Sequence, residues 1–230
     1  MNLNNIAKFI FIFALLSFTK VGVCGGIALG STRIIYNADK KSTVLNITNS
    51  DEKKRFLIQS WIETEDGKKS DNFILTPPLF VSKPSSENTI RISYIGDGEA
   101  AGKETIFYLN SKAIPSLEKK DMDGKNVLQI AVLSRIKLIY RPNGIYGSSL
   151  DAYKKLQFLP VLGGMQVKNP TPYFITLINF KINNEKFSTH MFSPYSTTLV
   201  PFVKHDKIIN LSFQSVNDFG GNSPVTSVKL

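Results

Sequence analysis

The chain is nearly empty of the residues that build reactive centres. Of 230 residues one is cysteine, Cys24, and two are histidine, His190 and His205. Cys24 lies beside the point where an N-terminal leader would be cut. The mature chain therefore has no thiol, which excludes internal disulfides, thiol catalysis and zinc–cysteine sites. Neither histidine has an acidic partner or a second histidine at ligand spacing, so both read as surface or turn residues. No GxGxxG and no phosphate-cradling glycine-rich loop precedes a helix, and Gly163-Gly164 and Gly220-Gly221 read as tight turns or bulges. No nucleophile, base and orienting group come together. The expectation is no enzyme, no cofactor, no metal and no small-molecule substrate.

Long apolar runs are also missing. The one apolar run at the N-terminus, Phe9 to Phe18, spans about ten residues, against about twenty for a membrane-crossing helix. It follows MNLNNIAK, with Lys8, and precedes TKVGVCGG. That layout predicts a cleavable secretory signal over residues 1–25, cut near Gly25 with Val23 at the −3 position. Cys24 offers a lipoprotein alternative, but Val23 before it suits that processing poorly. Removal of residues 1–25 leaves 205 of the 230 residues, which suits two β-sandwiches of about 100 each. Without disulfides, such a protein must be held by its cores.

The net charge of +10 falls by two when Lys8 and Lys20 leave with the signal. A basic intracellular protein would point to nucleic acid. An exported one rarely meets it, and here the cations are scattered apart from Lys53, Lys54 and Arg55 and the pair Lys119 and Lys120. They read as solvated surface charge, with an acidic partner or a membrane surface as the alternative.

What is abundant is period-two alternation, the signature of strands. It predicts strands at Arg33–Tyr36, Thr43–Thr48, Arg55–Glu63, Thr89–Ile95, Thr105–Asn110 and Asn126–Tyr140, separated by NADKK, EDGKK, KPSSEN and GDGEAAG. Short strands with polar turns and no helical periodicity indicate an immunoglobulin-like sandwich. Arg141-Pro142-Asn143-Gly144 ends the first series, and a linker runs to about Ala152. A second series follows at Met165–Lys168, Tyr173–Ile182, Ser196–Val200, Ile208–Phe213 and Val225–Leu230. The reading is all-β, with two sandwich domains at residues 26–145 and 146–230.

The stretch NVLQIAVLSRIKLIYRP, Asn126 to Pro142, stands out. It alternates Leu128, Ile130 and Val132, then adds Arg135 and Lys137. At about fifteen residues it outruns a typical strand of five or six. Backbone groups beyond the reach of the home sheet form a template for another chain. The stretch points to a protein that lends a strand. On pattern alone, however, Leu128, Ile130 and Val132 read as the domain's own core. In a regular strand they also lie on the opposite face from Lys137, which a twist, a bulge or a face turned toward a cleft would reconcile.

Several ordered blocks resemble the periplasmic pilus (fimbrial) chaperones of chaperone–usher systems. They are STRIIY at 31–36, SWIE at 60–63, LTPP at 75–78, KETIFYLN at 103–110 with IP at 114–115, NVLQIA at 126–131, IKLIYRP at 136–142, NPTPY at 169–173 and NDFGG at 217–221. The resemblance implies two immunoglobulin-like domains at an angle with a cleft between them. It implies that Arg33 and Lys137 bind a pilus subunit's C-terminal carboxylate there, although Arg33 alone reads as a surface cation. It implies that Leu128, Ile130 and Val132 complete a subunit lacking its last strand. It further implies an interdomain ionic link among Glu104, Arg141 and Asp218, and suggests a cis bond in Thr76-Pro77-Pro78.

Implied partners are pilus subunits and an outer-membrane usher, with self-association left open for the free chain; the implied location is the periplasm. The short connection from Ser116 to Lys125 resembles the short-loop subclass, which usually serves rod-like pili. Two positions depart from the family pattern. Ser111 replaces an apolar residue, and Gly102 replaces a polar one. The alternative from another class is a pilus subunit or adhesin, whose donor segment would lie at the mature N-terminus. Here it is internal, and the start GIALGSTR is short.

Overall fold

A computed structural model describes residues 25–97, 102–117, 127–183, 185–202 and 209–230. Residues 1–24 of the predicted signal, with Cys24, most of the connection from 116 to 125, with Lys119 and Lys120, and Asn126, His205, Ile208 and part of GDGEAAG lie outside them. Among the described residues the chain is strands and turns, plus one 3-10 turn at Ala152–Lys155.

In the first sandwich, one sheet is formed by β1 (Ile27–Leu29), β3 (Thr43–Asn49), β7 (Ser86–Tyr94) and β5 (Phe73–Thr76), in that order. The facing sheet runs β2 (Arg33–Asn37), β9 (Val132–Arg141), β8 (Thr105–Pro115), β4 (Phe56–Thr64) and β6 (Leu79–Ser82). Alternation drives this pairing. In β3, Leu45 and Ile47 are buried while Val44 and Asn46 face out, and β4 buries Ile58 and Ile62 likewise. The inward residues join Ile90, Ile92, Leu109 and Leu138 in one core. Each such side chain contributes roughly 1.5–3 kcal/mol through burial.

At one end, rings close the sandwich. Tyr94 and Tyr140 lie 4.5 Å apart, and Phe73 packs edge-on against Phe107 at 5.0 Å. The Tyr36 hydroxyl donates to Lys40 O and accepts from Tyr94 N.

The first strand run changes sheets. β1 pairs antiparallel with β3, and β2 then pairs parallel with β9, with Arg33 opposite Lys137 and Asn37 opposite Arg141. β5 and β6 also belong to opposite sheets, joined through Thr76-Pro77-Pro78, and the Thr76–Pro77 bond is cis.

The second sandwich sets β10 (Gln157–Val161), β11 (Gly164–Lys168) and β15 (Thr197–Pro201) against a second sheet. That sheet contains β12 (Ile175–Ile182), β13 (Glu185–Lys186), β14 (His190–Phe192), β16 (Asn210–Ser215) and β17 (Thr226–Lys229). Its core holds Met165, Val167, Phe180, Phe192, Val200 and Phe213.

Arg141, the last residue of β9, bridges the two sandwiches. Its Nε donates to Glu104 Oε1 at 2.7 Å, while Nη1 and Nη2 donate to Asp218 at 2.8 and 2.9 Å. Glu104 in turn receives Phe174 N at 2.7 Å, and its own N–H donates to Pro172 O at 2.9 Å. Ser149 Oγ completes the Asp218 carboxylate at 2.9 Å. Glu104 is 2 % exposed, and burial pushes its carboxyl up against the pull of Arg141 and the Phe174 N–H. Burial also opposes the Asp218 charge, but Arg141 and Ser149 outweigh it and hold that carboxyl below its usual value.

Breaking a buried ion pair by removing one partner costs about 3–5 kcal/mol. Arg141→Ala is therefore expected to lower the unfolding free energy by about 3 kcal/mol in urea denaturation. It should also broaden the interdomain distances seen by small-angle scattering. An unchanged midpoint with an unchanged scattering profile would contradict the bridging role.

Candidate functional site

β9 begins at Val132, so the strand predicted over Asn126–Tyr140 is shorter at its start. Leu128 and Ile130 precede it. The cause is the loss of a partner. Ala113 opposite Val132 is the last β8 residue paired to β9; Ile114 and Pro115 keep only their pairing to β4 on the opposite edge, and Pro115 has no N–H to donate to a continued ladder. A ladder needs acceptors and donors on a neighbour. Residues 127–131 have a tie to the domain through Gln129 Nε2, which donates to Pro115 O. Leu128, Ile130 and Val132 are 83, 65 and 60 % exposed, so the domain's own core does not take them.

The other edge of β9 is half free. β2 covers it from Lys137 to Arg141, while no strand among the described residues pairs with that edge from Val132 to Ile136. This edge carries unpaired backbone groups beside exposed apolar side chains.

Register settles the parity question. β9 pairs with β8 without a break from Val132 to Tyr140. Ile136, Leu138 and Tyr140 belong to the first core, so the even face of β9 points inward and Val132 continues it. Lys137 lies on the other face. No bulge is needed, because the odd face turns toward the second sandwich. There Lys137 Nζ donates to Thr176 Oγ1 on β12 at 3.2 Å. Arg33, opposite Lys137, donates from Nη1 to Val216 O just beyond β16 at 3.3 Å. Arg135 sits apart, 4.2 Å over the Tyr108 ring and 3.5 Å from Glu63.

The two facing cations are poorly neutralised. Asp218 and Glu104 hold hydrogen bonds to Arg141. Burial, then the charge of Arg33, pushes the Lys137 amine down to about 8. Burial also lowers the Arg33 pKa, against the pull of Asp218 and Glu104. The Nε of Arg33 is buried without a hydrogen-bond partner among the described residues. Two half-buried cations with a spare donor favour an anion, because a carboxylate relieves their repulsion and accepts charge-assisted hydrogen bonds.

The residues that shape this site but escaped sequence reasoning are mostly second-domain polar groups. Thr176 and the Val216 carbonyl carry no motif. Asn169, fully buried, accepts Thr171 N and Oγ1 and places Nδ2 against Tyr173 O and Ser193 O. It thereby shapes the loop whose Pro172 O and Phe174 N hold Glu104. An asparagine before two prolines signals a turn but not its burial. Of the two departures, Ser111 is buried with its Oγ accepting from Ser60 Oγ at 3.2 Å, and Gly102 adopts φ 85° ahead of Lys103 and Glu104.

Comparison with known proteins agrees along the whole described chain. The family description "Pili and flagellar-assembly chaperone, PapD N-terminal domain" matches residues 26–146, and "Pili assembly chaperone PapD, C-terminal domain" matches residues 151–227. The probable fimbrial chaperone SfmC of Escherichia coli K12 is 44% identical over 219 residues, covering 95% of each chain. Chaperone protein FimC of the same strain is 37% identical over 221 residues, covering 94% of this chain and 91% of its own. The crystal structure of the periplasmic chaperone SfaE superposes with a TM-score of 0.76 at 36% identity, covering 88% of this chain and 98% of its own. With two immunoglobulin-like sandwiches and both family descriptions matched in order, this chain belongs to the pilus-assembly chaperone family.

Proposed function

We propose that this protein is a periplasmic chaperone that captures, completes and caps pilus subunits by lending them a strand, then delivers them to an outer-membrane usher. The observation that carries the reading is the free edge of β9 from Val132 to Ile136, ending at the Arg33–Lys137 pair. Val132 and the preceding Ile130 and Leu128 stand exposed beside it.

The geometry dictates the direction of the incoming strand. β2 lies parallel to β9 on this edge and starts at Arg33. A subunit strand whose carboxylate reaches Arg33 and Lys137 ends where β2 begins. Its residues then run back toward Val132 and Leu128, so it too is parallel to β9. Backbone bonds along the edge supply affinity, and alternate side chains supply register. Leu128, Ile130 and Val132 would fill the subunit's groove, each contributing roughly 1.5–3 kcal/mol on burial. Exchange for a better-fitting strand from the next subunit would drive release, without nucleotide or cofactor.

In this reading Glu104, Arg141 and Asp218 orient the two domains, which are placed at residues 26–145 and 146–230. The shortness in sequence of the connection from 116 to 125 supports a reading as a chaperone of rod-like pili. A structural subunit or adhesin is disfavoured, because the exposed alternating segment is internal.

The test is co-expression of the tagged chain with neighbouring subunit genes, beside Lys137→Ala, with mass spectrometry of co-purifying proteins. A stoichiometric small β-rich partner, lost in the variant, is expected. A partner retained equally by the variant, or none, would overturn the reading. Ile130→Asp should cut the periplasmic yield of that subunit at least about tenfold, because it places a charge in an apolar groove. Full yield would contradict donation by this segment.

Lys137 also sets a pH dependence. In the free protein its amine loses its proton near pH 8, while a bound carboxylate raises that value. Above pH 8 binding must therefore take up a proton. Affinity for a carboxylate-ended subunit peptide should be flat below pH 8 and fall by up to about tenfold per unit above it. Lys137→Arg should flatten the profile to pH 10. Titration calorimetry across pH 6–10 measures both.

A further inference from the structure

We propose that the close approach of Gly220 to Thr32 sets the position of Arg33, making this pair a positioning element for carboxylate capture. The proposal rests on the carboxylate reading above.

The segment from Val216 to Gly221 grips the first domain at three points. Val216 O receives Arg33, Asp218 receives Arg141, and Gly220 lies against Thr32, the residue before Arg33. The turn is stiff. Asn217 Oδ1 accepts from Phe219 N at 3.0 Å and Gly221 N at 2.9 Å, and Asn217 N donates to Gly221 O at 2.8 Å. Asn217 O accepts from Gly220 N at 3.0 Å. A stiff turn cannot yield locally to a steric clash, so crowding at Gly220 would move the whole turn. That movement would carry the Val216 carbonyl away from Arg33.

Gly220 leaves almost no room. A Cβ placed on it would overlap Thr32 Oγ1, although it would stand 3.7 Å from Thr32 Cβ. The obstruction is the hydroxyl, so removing it opens the gap. Gly220 also has φ +84°, which alone favours glycine. Backbone strain and steric contact therefore predict the same single-variant defect. They differ in the double variant.

The experiment uses the mature chain and a ten-residue peptide of alternating valine and threonine, ending either in a free carboxylate or in an amide. Fluorescence polarisation at pH 7 reads affinity, and thermal melting monitors folding. Wild type should prefer the acid by about tenfold or more. Gly220→Ala should lose most of that preference while its affinity for the amide holds. Adding Thr32→Ala to Gly220→Ala should restore the preference. A loss that persists in the double variant, or falls equally on both peptides, means turn strain and overturns the proposal. If wild type itself fails to prefer the acid, the carboxylate reading falls, and the positioning role with it.

Should Gly220→Ala not fold, Thr32→Leu crowds the same gap from a backbone position without positive φ. The same acid-selective loss is then expected, and an unchanged preference overturns the proposal.

Discussion

A strand hydrogen-bonded on both sides along half its length, and on one side along the other half, organises this molecule. β9 is held by β8 from Val132 to Tyr140, but β2 covers its other edge only from Lys137. The boundary between the two regimes coincides with the Arg33–Lys137 pair. An open edge is ordinarily a liability for aggregation. Here it is bounded by two half-buried cations, which in the proposed function act as a charged stop that sets the direction and register of a partner strand. The second sandwich matters because it buries that stop. Thr176 on β12 and the Val216 carbonyl just beyond β16 meet Lys137 and Arg33, and burial there opposes both charges.

The interdomain contacts follow from the same requirement. Two further charges, Glu104 and Asp218, stand close enough to Arg33 to stabilise it, and could have neutralised the site. Arg141 holds them instead, in a network completed by Ser149, Phe174 N and Pro172 O. Buried ion pairs are weak contributors to net stability because desolvation offsets the attraction. This one has a geometric consequence of greater weight. It fixes one face of the cleft against the other while leaving the neighbouring cations unpaired.

Much of this was legible in residues with a clean period of two. β3 alternates through Leu45 and Ile47 with polar residues between, and its predicted bounds differ from the observed ones by one residue. β5 and β6 were not predicted. Each has four residues, flanks the Pro77-Pro78 turn and belongs to a different sheet, so no window long enough to show alternation exists. β13, with two residues, offers no period at all. The start of β9 was placed six residues too early, because Leu128 and Ile130 alternate as a strand would. Composition cannot reveal that the ladder from β8 to β9 stops at Ala113, two residues before β8 itself ends. The Arg33–Lys137 juxtaposition came from a family resemblance rather than from spacing, since 104 positions separate the two residues. Asn169 and Thr176 were invisible as site-builders, because an asparagine or a threonine reads the same in sequence whether it is buried, as both are here, or exposed.

In the proposed function the β9 edge from Val132 to Ile136 accepts a parallel strand. Amide hydrogen exchange on the chaperone, free and saturated with a co-expressed pilus subunit, probes that edge. The amides facing the open edge between Val132 and Ile136, at alternate positions, are expected to slow strongly on binding. Amides already bonded to β8 should change little. Unchanged exchange along this edge, with protection appearing on another strand, would contradict it.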